Sequence, residues 1–111
     1  MARPFYEARI REVEARCDAR QADVERERGK PGERRAEERL GKAMNALRRY
    51  NRPLPDEILD AREACLRAED AYKRARGTRN EEVRRVERDA ARLAVVQLQN
   101  AAVARGEIVL D

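Results

Sequence analysis

Histidine, serine and tryptophan are absent from this 111-residue chain, and cysteine occurs twice. Without His or Ser there is no serine triad, no Cys–His pair, no histidine general base and no zinc pattern with His ligands. A di-iron bundle needs Glu-x-x-His and is excluded for the same reason. Cys17 and Cys65, two residues far apart in sequence, cannot supply the four ligands of a four-cysteine metal site. As lone residues inside predicted helices they read as small core side chains, not as a disulfide framework. Glycine is sparse. The nearest approach to a phosphate loop, Gly29-Lys30-Pro31-Gly32, lacks both the Walker spacing and a preceding strand. The 22 acidic residues are interleaved with Arg, as in ordinary intrahelical ion pairs, and make no carboxylate site of their own. The expectation is therefore a non-enzymatic chain with no catalytic, cofactor or metal residues.

Long apolar runs are also missing. No segment approaches the ~18 consecutive apolar residues a membrane span requires. Arg3, Glu7, Arg9 and Arg11 interrupt any apolar region near residue 1. A cytoplasmic protein with no membrane contact is the reading that follows. Lacking Trp and a matching turn, the chain is also set apart from the small secreted WXG-type helical hairpins.

What the chain does contain is helix-forming material. Ala, Glu, Lys, Leu and Arg make up 68 of 111 residues, above the level of about half that marks coiled coils and long helices. These side chains lose little entropy in a helix. Leu, Ile, Val and Phe supply only 20 residues, so the core is thin. A small domain buries only about 60–65% of its unfolded surface, and Ala-rich seams add little per residue. Self-association would supply the missing burial, the alternative being helices that close on themselves. Arginine outnumbers lysine 23 to 3. Arg and Ala both have GC-rich codons, which points to a GC-rich bacterium or one of its phages.

The punctuation gives four helices. Arg28-Gly29, Arg76-Gly77 and Arg105-Gly106 each set a cation at a helix end and a glycine just beyond it. Pro53 and Pro55 forbid a continuous helix at the remaining break. Pro4 and Pro55 suit first-turn positions, and Thr78 and Glu81 have capping-box spacing. The resulting helices lie near 4–28, 33–50, 56–76 and 79–105, in a single domain 1–111 with a short apolar tail at 106–111. An all-α antiparallel bundle or extended helical hairpin follows. A break at Gly77 is preferred to one continuous rod, because Gly inside a helix costs up to ~1 kcal/mol.

Apolar residues recur at alternating steps of three and four, the seam of helices packing side by side. The expected packing or oligomer seam comprises Ile10, Val13, Leu40, Leu47, Ile58, Cys65, Tyr72, Val86, Leu93 and Val96. In the fourth helix the seam opens on Val83, Val86, Ala90 and Leu93. From Ala90 to Ala104 that helix is apolar around most of its circumference and free of charge after Arg92. A helix of that kind is buried on several sides and is expected at the centre of an assembly. Gln97, Gln99 and Asn100 fall there, either on the wet side or as a polar layer fixing register.

The charge excess is local. Residues 29–50 hold seven basic and three acidic side chains, while every other segment balances. Arg35, Arg39, Lys42 and Arg49 form a stripe beside the second helix's seam, a candidate face for phosphates or an acidic protein surface. Against nucleic acid stand the balanced charge elsewhere and the scarcity of aromatics for base stacking. The chain is thus expected to act in protein–protein interaction or scaffolding, with itself and an unidentified protein as partners. A regulator that binds a host protein is one form of this. The alternative is a nucleic-acid-associated regulator using the basic face.

Overall fold

The computed structural model describes residues 2–109 and is all-helical. Its elements are α1 (Pro4–Glu27), α2 (Glu33–Asn51), α3 (Asp56–Ala75) and α4 (Glu81–Ala104), with α1 packed on α2 and α3 on α4. The chain divides into two compact units. One comprises residues 1–6 with 54–111, the other residues 7–53.

In the unit built from α1 and α2, Val13, Val24, Ala36 and Ala43 are buried. Ile10, Cys17, Leu40 and Leu47 are half-buried beside them. Ala at 36 and 43, one heptad apart, lets the two backbones approach closely where a larger side chain would hold them apart.

In the other unit the core lies at the end of the α3·α4 pair remote from its turn. Ile58 of α3 is 2% exposed and Ala102 of α4 is 1% exposed; Ile108 joins them, with Leu54 and Leu98 packed around. The tail therefore folds back, as the apolar character of Ile108 requires in water. Leu110 of the same apolar tail falls outside the described residues, and Val109 is exposed.

The expected break at Gly77 is present. Gly77 has φ +82°, a left-handed conformation that L side chains adopt only under strain. Gly106 closes α4 in the same way. Its N–H donates to Val103 O (3.0 Å) and that of Glu107 to Ala102 O (2.9 Å), the paired bonds of a Schellman motif.

Thr78 and Glu81 do not form the expected capping box. The N-cap of α4 is Asn80, which makes no side-chain cap hydrogen bond. Thr78 Oγ1 instead donates to Ala75 O (2.6 Å), at the end of α3. Glu81 accepts from the Gly77 N–H (3.4 Å), reaching back one residue too far for a box. The α1–α2 turn repeats this device, with the Gly29 N–H donating to Glu33 Oε2 at 3.0 Å. Both turns thus read Gly-x-x-x-Glu, the first acid of the new helix accepting from the N–H of the glycine that follows the old one.

The first turn of α1 belongs to the α3·α4 unit and is held there by α3. Pro4 has no N–H to satisfy. The next two backbone donors, Phe5 N and Tyr6 N, point at the Glu63 carboxylate. Phe5 donates to Oε1 (2.6 Å) and Oε2 (3.0 Å), and Tyr6 to Oε1 (3.0 Å). Glu63 is 6% exposed, and these donors together with the positive end of the helix dipole compensate its buried charge. Arg3 is anchored to Asp60 (2.8 Å) and Asp56 (3.2 Å), which hold its guanidinium pKa above the ordinary arginine value, chiefly through the Asp60 hydrogen bond. Arg67 lies over the Phe5 ring at 5.5 Å.

Candidate functional site: an apolar helix face and a basic groove

Two solvent-facing surfaces stand out once the helices are packed, one on α4 and one on the α1·α2 hairpin. The first arises because α4 has two apolar rows and α3 covers only one of them. The covered row steps by three and four through Arg88, Ala91, Val95, Leu98 and Ala102. Leu98 and Ala102 pack on Ile58, and the Arg88 guanidinium stacks over the Tyr72 ring at 4.3 Å. Arg92 completes the α3 contact through Glu69 at 3.1 Å.

The other row carries the residues expected to form the seam. Val83 and Val86 are each 57% exposed, Leu93 56%, Val96 49% and Val103 42%. Of the two uses expected for this seam, packing within the chain or contact between copies, the first does not occur here: Val83, Val86, Leu93 and Val96 face solvent. Beyond Ala90 both rows are apolar, and the row chosen by α3 is the one bearing small Ala91 and Ala102 with a cation able to stack on Tyr72. The 90–104 stretch is accordingly buried on one side only.

Of the other seam residues, Val13 and Ile58 are buried, and Ile10, Leu40, Leu47, Cys65 and Tyr72 are half-buried. Gln97 and Asn100 are exposed. Gln99 is half-buried, with its amide oxygen turned to the Arg62 guanidinium, Nε at 3.1 Å. Cys65 Sγ donates to Glu69 Oε1 at 3.7 Å, and burial, followed by the Glu69 charge, pushes its thiol pKa up. A thiol held protonated is a poor nucleophile.

The second surface lies between α1 and α2. Arg35, Arg39, Lys42 and Arg49 are all exposed, as a stripe would be, but the structure does not use them as one row. Arg39 and Lys42 line a groove of about 210 Å3 with Arg16 and Arg20 of α1, over a floor of Ala43 and Ala46. Arg35 lines an adjoining cavity of about 240 Å3 with Asp23, Arg26 and Glu27, and Arg39 borders both. Arg49 borders neither of these two cavities. Arg20 has a long contact to Asp23 (3.5 Å). Arg16, Arg39 and Lys42 enter no ion pair among the described residues, whereas Arg26 and Arg34 nearby do. The sequence stripe missed Arg16 and Arg20. Their four-residue spacing puts them on one face of α1, but only the register of α1 against α2 sets that face beside Arg39.

No group of three or more Cys, Asp or Glu side chains among the described residues is placed to hold a metal ion. No described helix is long and apolar enough to cross a membrane. No protein-family model, no curated protein and no solved structure matches the chain.

Proposed function

We propose that this chain is a non-enzymatic interaction or scaffolding protein that associates with itself through the uncovered face of α4. The observation that carries the reading is the row Val83, Val86, Leu93, Val96 and Val103, five large aliphatic side chains on one helix, each 42–57% exposed. Val83 to Val103 spans about 30 Å of helix. Singly exposed apolar residues are common, but five on one helix, with only Ala90 and Asn100 between them at the same spacing, favour a protein contact. With Ala90, Val83, Val86 and Leu93 repeat at three and four, the spacing at which a helix presents knobs to a neighbouring helix. The thin core adds a motive, since burying this row supplies area that the α3·α4 pair does not provide.

Sedimentation or light scattering over a micromolar-to-millimolar series tests the proposal. The mass should exceed that of a monomer at the upper end, and the melting temperature should rise with concentration. Leu93→Asp and Val96→Asp should abolish association yet leave circular dichroism helical. Val24→Asp, at a buried position in the α1·α2 hairpin, should instead destabilise the fold. A monomer mass throughout the series, with a concentration-independent melt, would refute self-association.

A further inference from the structure

We infer that the groove between α1 and α2 is a binding site for a compact phosphate-chain anion, the pyrophosphate or triphosphate class, held by Arg16, Arg20, Arg39 and Lys42. Four cations from two helices converge on one groove of about 210 Å3, and its lining contains no carboxylate. Arg16 and Arg20 are like charges at i,i+4, and Arg39 and Lys42 at i,i+3, spacings at which repulsion destabilises a helix. Several arginines of α3 and α4 are instead paired with acids at the same spacings: Arg84 with Glu87, Arg85 with Glu82, Arg74 with Asp70. In this groove the one such pairing among the described residues is the long Arg20–Asp23 contact. An anion with several oxygens would satisfy all four cations at once, and the arginine forks match phosphate oxygens in geometry. The small floor residues Ala43 and Ala46 leave the oxygens room to approach.

The surroundings select a compact ligand over a polymer. Asp23 and Glu27 line the adjoining cavity and would repel a phosphate backbone running on past Arg39. No aromatic side chain lines the groove, so a nucleobase has nothing to stack on. Recognition therefore rests on the phosphate chain alone. This site lies in the α1·α2 unit and does not depend on the α4 face.

Isothermal titration with sodium triphosphate, pyrophosphate and sulfate at matched ionic strength tests the assignment. Triphosphate should bind most tightly and sulfate most weakly. ATP and GTP should bind like free triphosphate to within about twofold, because the base makes no contact. Arg39→Gln and Lys42→Gln should each weaken triphosphate about tenfold or more, the loss expected when a charge-assisted hydrogen bond is removed. Arg34→Gln changes the same charge on the same helix, away from the groove, and should leave affinity unchanged. Equal binding of sulfate and triphosphate, or Arg39→Gln behaving like Arg34→Gln, would overturn the inference. So would tight binding of a DNA duplex by protein that ignores free triphosphate, which would point to a nucleic-acid surface instead.

Discussion

Replacing Glu63 with Ala removes the carboxylate that accepts hydrogen bonds from the Phe5 and Tyr6 N–H groups. Hydrogen bonds to a charged group contribute about 1.5–3 kcal/mol each. The two donors do not lose this equally. Phe5 is half-buried and water can reach its N–H, whereas Tyr6 is 6% exposed and its donor would stay dry. One bond lost in full, one partly replaced by water, and the lost helix-dipole contact together give a cost of about 2–3 kcal/mol. In a chain of this size that lowers the melting temperature by roughly 8–15 °C. Glu63→Gln keeps one acceptor oxygen but replaces the other with a donor, so about 1 kcal/mol should be lost. Urea unfolding of the three proteins, with equal m-values, would give the ordering wild type, Gln, Ala. Hydrogen exchange at Tyr6 should accelerate in the Ala variant. A loss below about 0.5 kcal/mol for Glu63→Ala, the range of ordinary surface substitutions, would show that the first turn of α1 is not anchored through this carboxylate.

Three further outcomes follow from the same structure. Removing residues 107–111 takes Ile108 from the Ile58–Ala102 cluster and should cost about 2–4 kcal/mol in dilute protein, read as a lower melting temperature; unchanged stability would mean the tail does not seal the core. Gly77→Ala forces a side chain into φ +82° and should destabilise by about 1 kcal/mol, whereas Gly41→Ala, inside α2 with open space around its Cα, should stabilise by up to about 1 kcal/mol; equal effects of both in a chemical melt would contradict the turn geometry. The raised thiol pKa of Cys65 should slow its alkylation at neutral pH relative to a free cysteine. Because the folded state holds that proton longer, its contribution to stability is full below the ordinary thiol range and declines as pH rises through it. Alkylation as fast as that of a free thiol would count against this.

The four helices were legible because their ends are marked by residues with local consequences. Gly at 29, 77 and 106 allows the left-handed conformation that ends a helix, and Pro at 53 and 55 restricts the backbone, whatever surrounds them. Partners distant in sequence were not legible. Glu63 is one acid among many on α3, and nothing near it in sequence shows that two N–H donors from the start of α1 will arrive there. The pairing of Arg16 and Arg20 with Arg39 is hidden for a like reason, since a stripe read along one helix cannot include its neighbour. The Thr78–Glu81 spacing misled differently. It fits a capping box, but the turn needs Thr78 to close α3, and the carboxylate is then taken by Gly77.

The α4 face shows how a periodicity can be real and still not describe internal packing. An apolar row at steps of three and four reports that a helix has a surface water disfavours, not what covers it. In α4 the row containing Ala91 and Ala102 approaches α3 closely and brings Arg88 over Tyr72 and Arg92 to Glu69, contacts that give the α3·α4 hairpin one register. Seating Val83, Val86, Leu93 and Val96 against α3 would turn Arg88 away from the Tyr72 ring. The same side chains suit an outward contact, where a second helix can adjust its distance to them. The row against α3 combines small Ala91 and Ala102 and the stacking Arg88 with Val95 and Leu98, while Val83, Val86, Leu93 and Val96 stay exposed and open to the proposed association. Exchanging the two sets should therefore weaken the α3·α4 hairpin and the proposed association together, whereas Leu93→Asp should separate them.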